Sequence, residues 1–304
     1  MSSRPRIAVL MTCHNRRDTT LSCLHSLRGQ TPFREDDLYL VDDGSKDGTG
    51  EAVRRLMPRA HVIAGDGTLF WNGGTNRAWA AAIEAPTEYD WYLWLNDDVV
   101  LDSGALDRLL ADAVMCADPH EPLVMAGATM SADRERVTYG AHVRPDPARP
   151  LRLTLLEPDR VPQMAITISG NAVLVSRVAC ERLGRLDPGF AHIYGDLDYG
   201  LRAEEAGIPV MLAGEPVGVC EANPDAGTWR DPAAPRAVRV SRRFAMRKSL
   251  HARDWNRLVA RHDPGPLARL RHLLGPYARI LFGDRQPPAG PRGPARLASP
   301  ARPR

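Results

Sequence analysis

Cysteine is scarce and unpaired in this chain of 304 residues: five, at 13, 23, 116, 180 and 220, an odd number with no CxxC pair. That argues against a disulfide framework and a zinc knuckle, and it fits a reducing compartment. Lysine is scarcer still. Lys46 and Lys248 are the only two, so arginine carries nearly all the positive charge. No apolar run approaches the ~18 residues that a membrane-crossing helix needs. The run 7–11, after Arg4 and Arg6, is too short for the core of a signal peptide. A cytoplasmic location is therefore expected. The rest is ordinary: 43% hydrophobic, 25% charged and 6% aromatic residues exclude a collagen-like or wholly disordered chain. The length suits one large α/β domain with a small appendage.

The net charge of +3 hides an asymmetry. From Arg236 onward there are 17 Lys+Arg against 3 Asp+Glu, which leaves 23 basic against 34 acidic residues in the first 235. An acidic body thus carries a basic extension. Such a segment suits an anionic partner, whether a membrane surface, a nucleic acid or a phosphorylated lipid, and equally suits a solvated helical face.

Short apolar runs at 6–11, 37–41, 61–64 and 91–95 read as buried strands. Helical patterns at 17–28, 47–57, 75–85 and 106–115 lie between and after them. This alternation predicts parallel βαβ units with right-handed crossovers. Residues 123–175 are less regular, with prolines at 145, 147, 150, 158 and 162, and 167–175 resumes as one strand. A helix is expected at 196–206, with two acids in its first turn. The predicted organisation is a core of 1–225, a helical extension of 226–283 and a Pro/Arg-rich tail of 284–304 without regular structure. In the extension, Leu267, Leu270, Leu274, Tyr277 and Leu281 recur at helical spacing among arginines. Gly275-Pro276 is expected to split that stretch into two helices.

The polar clusters 12–16, 42–45 and 96–98 each follow a predicted strand. In an open parallel sheet, ligands bind outside those strand ends. In Asn96-Asp97-Asp98, adjacent carboxylates repel, and a divalent cation bridging to a diphosphate would relieve that; a helix cap is the plain alternative. Asp42 and Asp43 suit a base or ribose contact, or an Asx-turn. His14 suits stacking on a base, or a surface loop. Asp196 and Asp198 cannot both face one point from a helix; one can act as general base toward a hydroxyl while the other supports the loop.

TCHNRR, VDDGSKDGT, GDGTLFWNGGTNRAW, LWLNDD and GDLDYGLRAEEAG, in that order over about three-quarters of the chain, resemble the family-two inverting glycosyltransferases of the bacterial surface-polysaccharide type. The resemblance implies the α/β GT-A fold, a nucleotide-diphosphate sugar donor (UDP- or dTDP-linked), a saccharide or lipid-linked saccharide acceptor, and Mn²⁺ or Mg²⁺. It implies no nucleic acid partner. Thr12, His14 and Arg16 then fall where the family holds the nucleotide, and Asp43, with its neighbour Asp42, matches the base-recognising carboxylate. Gly74, Asn76 and Arg77 match the segment near ribose and diphosphate. Asp97 and Asp98 match the acidic metal motif, with Asp98 the metal ligand. Asp196 matches the catalytic base and Asp198 a support or acceptor contact, with Trp71 a sugar or acceptor contact. Two departures stand out: Gly195 precedes the base where an acid is frequent, and Cys220 stands where many members have a metal-binding histidine. They keep a non-catalytic nucleotide-sugar-binding protein as the rival reading. A sugar-nucleotide pyrophosphorylase is a weaker rival, because TCHNRR lacks the glycines of a phosphate loop. The basic amphipathic stretch suits peripheral attachment to an anionic membrane, or packing on the domain or on a second subunit in a homodimer.

Overall fold

The computed structural model describes residues 5–118, 120–246 and 249–283. The expected unstructured tail, 284–304, lies outside the described residues. The first half alternates as the sequence predicts: β1 (Ile7–Cys13), α1 (Arg17–Arg28), β2 (Leu38–Asp42), α2 (Thr49–Leu56), β3 (His61–Ala64), α3 (Phe70–Glu84) and β4 (Trp91–Leu95). Then come β5 (Val100–Leu101), α4 (Ala105–Cys116), β6 (Val124–Ala126), β7 (Thr129–Met130), β8 (Val137–Tyr139), β9 (Ala141–Val143), β10 (Thr154–Leu155), β11 (Gln163–Ala165) and β12 (Thr167–Ile168). The chain continues with β13 (Ala172–Ser176), α5 (Arg177–Leu183), α6 (Gly195–Glu205), β14 (Val210–Leu212), β15 (Gly218–Val219), α7 (Arg236–Ala245), α8 (Leu250–His262) and α9 (Pro266–Phe282).

Eight strands form the main sheet, in the order β11-β14-β6-β13-β4-β1-β2-β3. All of β4 is buried, as are six of the seven residues of β1. Helices cover both faces, so alternate side chains of one strand enter two separate cores. Leu93 and Leu174 pack with Leu24, Leu27 and Leu109 on one face. Trp94 and Val173 pack with Trp79 and Tyr199 on the other.

Strand direction places the site. β1 runs parallel to β2 and β4, and β2 parallel to β3, so the polar segments after β1, β2 and β4 emerge on one edge. β13 is antiparallel to β4, with Ala172 opposite Leu95, and so brings its N-terminal end to that same edge.

Two expectations need correction. The run 167–175 is not one strand: it breaks at 169–171, with β12 in a three-stranded sheet with β9 and β10, and β13 in the main sheet. Gly170-Asn171 supplies the break, since glycine inside a strand pattern marks a close backbone approach. The second correction is α9, which runs unbroken through Gly275-Pro276. Pro276 forgoes one intrahelical hydrogen bond. It is buried, as is Ile280 one turn later, and α9 packs on α7 and α8. Tertiary packing outweighs the local preference of the sequence.

Helix α8 anchors the extension to the core, through ion pairs of Arg257, Arg261 and His262 and through one buried acid. Asp254 of α8 is fully buried and accepts from the backbone N–H groups of Ala191, His192 and Ile193, at 3.0–3.3 Å. Those residues form the loop that leads into α6.

Candidate active site

The β1 and β2 ends are stitched together. The Asp43 N–H donates to the Cys13 carbonyl, and the Asn15 N–H to Ser45 Oγ. His14 Nδ1 lies 2.6 Å from the Asp43 carbonyl oxygen and therefore carries the proton; Nε2 accepts from Asn15 Nδ2 at 2.9 Å. The His14 ring is exposed at the mouth of the edge. Asp42 makes the Asx-turn, accepting from the Ser45 N–H at 3.0 Å.

Several predicted donor contacts have other duties in the structure. Asp43 is only 2% exposed, and its two oxygens accept from the N–H groups of Gly67 and Phe70, both at 2.9 Å. It fixes the loop that opens α3. Thr12 and Gly74 pack on each other: a Cβ at 74 would collide with the Thr12 side chain. Asn76 bonds the Leu186 carbonyl through Nδ2 at 2.7 Å, tying α3 to the segment before α6. Arg77 is exposed and stands beside Arg185 and Arg202, in a cavity away from the acidic motif.

At the end of β4 the two acids differ. Asp97 is 4% exposed, accepts from Thr20 Oγ1 at 3.2 Å and from Arg16 at 3.0 Å, and burial pushes its carboxyl up to about 6. Asp98 is the more open. One oxygen accepts from Arg16 at 2.8 Å and the other from the Cys220 thiol at 3.4 Å. Arg16 thus spans both carboxylates, the neutralising job the sequence reading gave to a cation. Cys220 is 2% exposed, and burial, reinforced by Asp98, raises its thiol far above the usual range. In this structure it is a hydrogen-bond donor to Asp98. Among the described residues, no three His, Cys, Asp or Glu side chains gather to hold a metal ion. The donor set fits a hard cation whose remaining ligands are a substrate's phosphate oxygens, with Asp98 as the protein's contribution.

Asn96, Trp71, Gly170 and Asp196 link the acidic motif to α6. Trp71 Nε1 donates to Asn96 Oδ1 at 2.6 Å, and its ring meets Trp94 edge-on at 6.2 Å. A Cβ on Gly170 would stand 2.5 Å from the Trp71 ring and 3.2 Å from Asp196 Cβ. The Gly170 N–H donates to Asp196 Oδ2 at 2.8 Å, and the Leu197 N–H to Oδ1 at 2.8 Å. Burial raises the Asp196 carboxyl, and these N–H groups oppose the rise. Trp71 is therefore a wedge between the two acidic centres.

Asp198 faces away from this edge. It is fully buried and bonded to Arg202 at 2.9 Å, Arg261 at 2.6 Å and His262 at 3.0 Å. Burial alone would raise its carboxyl, but His262 and the two arginines bring it below the usual range. It locks α6 to α8 and is not an acceptor contact. Trp91 and Trp94 lie in the core.

Sequence reasoning missed Gly170 and Asp254. The interruption Gly170-Asn171 inside an apolar run was a readable signal; Asp254 carried none.

A mainly parallel sheet, with β13 antiparallel inside it and β11 antiparallel at its edge, gathering two acidic centres at the C-terminal ends of its parallel strands, is the architecture of GT-A glycosyltransferases. The mannosyltransferase PcManGT from Pyrobaculum calidifontis, solved with GDP-Man and Mn²⁺, superposes with a TM-score of 0.52 at 17% identity, over 92% of this chain and 88% of that one. GalNAc-T7, solved with UDP, GalNAc and Mn²⁺, gives 0.56 at 13% identity, over 90% of this chain and 55% of that one. At these identities the likeness is one of fold. The model of glycosyl transferase family 2 matches residues 8–183, and the chain belongs to that family. It is also 27% identical, over 258 residues, to the N-acetylglucosaminyl-diphospho-decaprenol L-rhamnosyltransferase of Mycobacterium tuberculosis, in each of two strains; the match spans 78% of this chain and 82% of that one.

Proposed function

We propose that this glycosyltransferase moves a sugar, with inversion, from a pyrimidine nucleotide-diphosphate donor (UDP- or dTDP-linked) to a hydroxyl of a lipid-linked saccharide. The observation that carries this reading is the Asp196 carboxylate, oriented by the Gly170 and Leu197 N–H groups and joined through Trp71 and Asn96 to the acidic motif. The relative's diphospho-decaprenol acceptor favours the lipid-linked class.

In this reading the base of the donor stacks on the exposed His14 ring. Asp196 takes the proton of the acceptor hydroxyl as its oxygen bonds to the anomeric carbon. The bond from that carbon to the diphosphate oxygen breaks on the opposite face, so no sugar–enzyme bond forms. A divalent cation, Mn²⁺ or Mg²⁺, would supply Lewis-acid neutralisation of the leaving diphosphate, with Asp98 as its protein ligand. Arg16, which lies against Asp97 and Asp98, moves its charge onto the diphosphate when the donor enters. A carboxylate raised by burial suits a base better than an ordinary one, which argues against a protein that only binds the donor.

The extension supports a place at a membrane surface. On α9, Leu267, Leu270, Leu274, Leu281 and Phe282 are exposed, opposite the buried Ala268, Pro276 and Ile280. The helix contains no acidic residue. No helix among the described residues is long and apolar enough to cross a membrane. An apolar stripe flanked by arginines lies flat on anionic lipid.

A thermal-shift screen of nucleotide sugars with and without Mn²⁺ tests the donor reading, because a ligand that binds the folded state raises its melting temperature. One pyrimidine nucleotide sugar should stabilise the protein in a Mn²⁺-dependent way, and Asp98→Asn should remove the Mn²⁺ dependence alone. Stabilisation by no nucleotide sugar, or an unchanged Mn²⁺ effect in Asp98→Asn, would overturn it.

A further inference from the structure

Beside the reaction cleft, on the outer side of α3, lies an open cavity of about 550 Å³ into which Arg77, Arg185, Arg202 and Arg261 converge. Its acids are already engaged. Asp187 lies against Arg257 at 3.0 Å and Arg261 at 2.7 Å; burial would raise its carboxyl, but the Gly189 N–H and the two arginines outweigh that and bring it down to about 2. Asp198, behind the wall, is satisfied by Arg202, Arg261 and His262. Arg185 donates to the Asn76 carbonyl at 2.7 Å and makes no ion pair with a carboxylate among the described residues; Arg77 is exposed, and the carboxylate it acts on, Asp66, is not among the residues that line the cavity. The cavity therefore keeps a surplus of cationic forks.

The wall between this cavity and the cleft is thin. Asn72 holds the carbonyls of Asp187 and Phe190 at 3.0 and 2.8 Å, and a Cβ on Gly195, next to Asp196, would collide with Asn72 Oδ1. Its neighbour Gly73 lines the cavity. One helix, α3, thus borders the cavity through Gly73 and Asn76 and meets the residue beside Asp196 through the buried Asn72.

We propose that this cavity is a diphosphate-binding subsite that takes the phosphates joining the acceptor sugar to its lipid. The chemistry is that of the arginine fork, which pairs two donors with two phosphate oxygens and keeps its charge at every working pH. The assignment deepens the acceptor reading above and rests on it. Asn76 and Arg77, which the family resemblance places near the donor's ribose and diphosphate, line this cavity instead, and the groups given to donor and proton transfer in the proposed reaction (His14, Arg16, Asp98 and Asp196) lie outside it.

The test uses the full-length protein and Arg185→Gln, with Arg185→Lys as the conservative variant. Inorganic pyrophosphate is titrated calorimetrically after the cleft has been filled with the nucleoside diphosphate that stabilises the protein most. Wild type should bind it, Arg185→Gln should bind it at least tenfold more weakly, and Arg185→Lys should recover part of the loss. In steady state with a diphospho-lipid-linked sugar, Arg185→Gln should raise the acceptor KM at least tenfold while kcat, donor KM and acceptor-free donor hydrolysis stay put. Equal pyrophosphate affinity in wild type and Arg185→Gln would overturn the subsite. Weakened pyrophosphate binding with an unchanged acceptor KM would show a site for free phosphates and overturn the acceptor assignment. Donor hydrolysis read in the same variant separates either result from a failure of the glycosyltransferase reading, which would abolish that hydrolysis in wild type as well.

Discussion

At the scale of the residue, the site turns on how each carboxylate is partnered. Asp43, Asp97 and Asp198 are buried and engaged, whereas Asp98 and Asp196 keep some access. Asp196→Asn keeps shape and removes the proposed base, so turnover should fall by about 10²–10⁴ with donor affinity unchanged. Steady-state kinetics checks this; a collapse of donor affinity would make Asp196 a binding residue. Because burial raises the carboxyl and a base works deprotonated, kcat/KM should fall on acidification at a pH above the ordinary carboxylate value of about 3.9. The five motifs made these acids legible in order, and their spacing marked the strand ends. What was not legible was which of them faces the cleft. That depends on Arg16, Cys220 and Gly170, which meet the acids only after β4, β13 and the segment after β15 come together. Contacts across 26 to 122 residues leave no local period in a sequence.

At the scale of the element, α6 is held at its N-terminal end by two contacts. Its first turn meets Gly170, and the loop before it hangs on Asp254 of α8. The strand–helix alternation was readable because period and burial agree there. The docking of α8 was not, because a single aspartate in an arginine-rich helix looks like surface until three backbone N–H groups converge on it. Asp254→Ala leaves those groups without their acceptor and should cost about 2–4 kcal/mol. Urea unfolding measures that loss. The same variant should lower kcat more than donor affinity, since the loop positions Asp196. A stability change below about 0.5 kcal/mol would make Asp254 a bystander. Asp187 and Asp198 belong to the same anchor. Their carboxyls lie lower in the fold than in the unfolded chain, so their stabilisation is present above about pH 3.9 and is lost as pH falls through the folded values.

At the scale of the whole molecule, an acidic core carries a basic helical extension, which the proposed function uses to meet a lipid-linked substrate. The charge asymmetry was plain in composition; that the apolar stripe of α9 faces outward needed the packing of Ala268, Pro276 and Ile280. In co-sedimentation, the full chain should bind phosphatidylcholine vesicles containing phosphatidylglycerol, more weakly as salt is raised. Replacing Leu267, Leu270 and Leu274 together with glutamine should abolish binding without changing donor hydrolysis. Binding by neither protein, with a dimer that the triple variant splits, would make the stripe a subunit interface. The most direct measurement of the central claim is the anomeric configuration of the product, read by NMR, made from the donor that stabilises the protein most. The configuration opposite to the donor's, with product lost in Asp196→Asn, is the expected result. Retention of the donor's configuration, or full product formation by Asp196→Asn, would contradict a single displacement with Asp196 as its base.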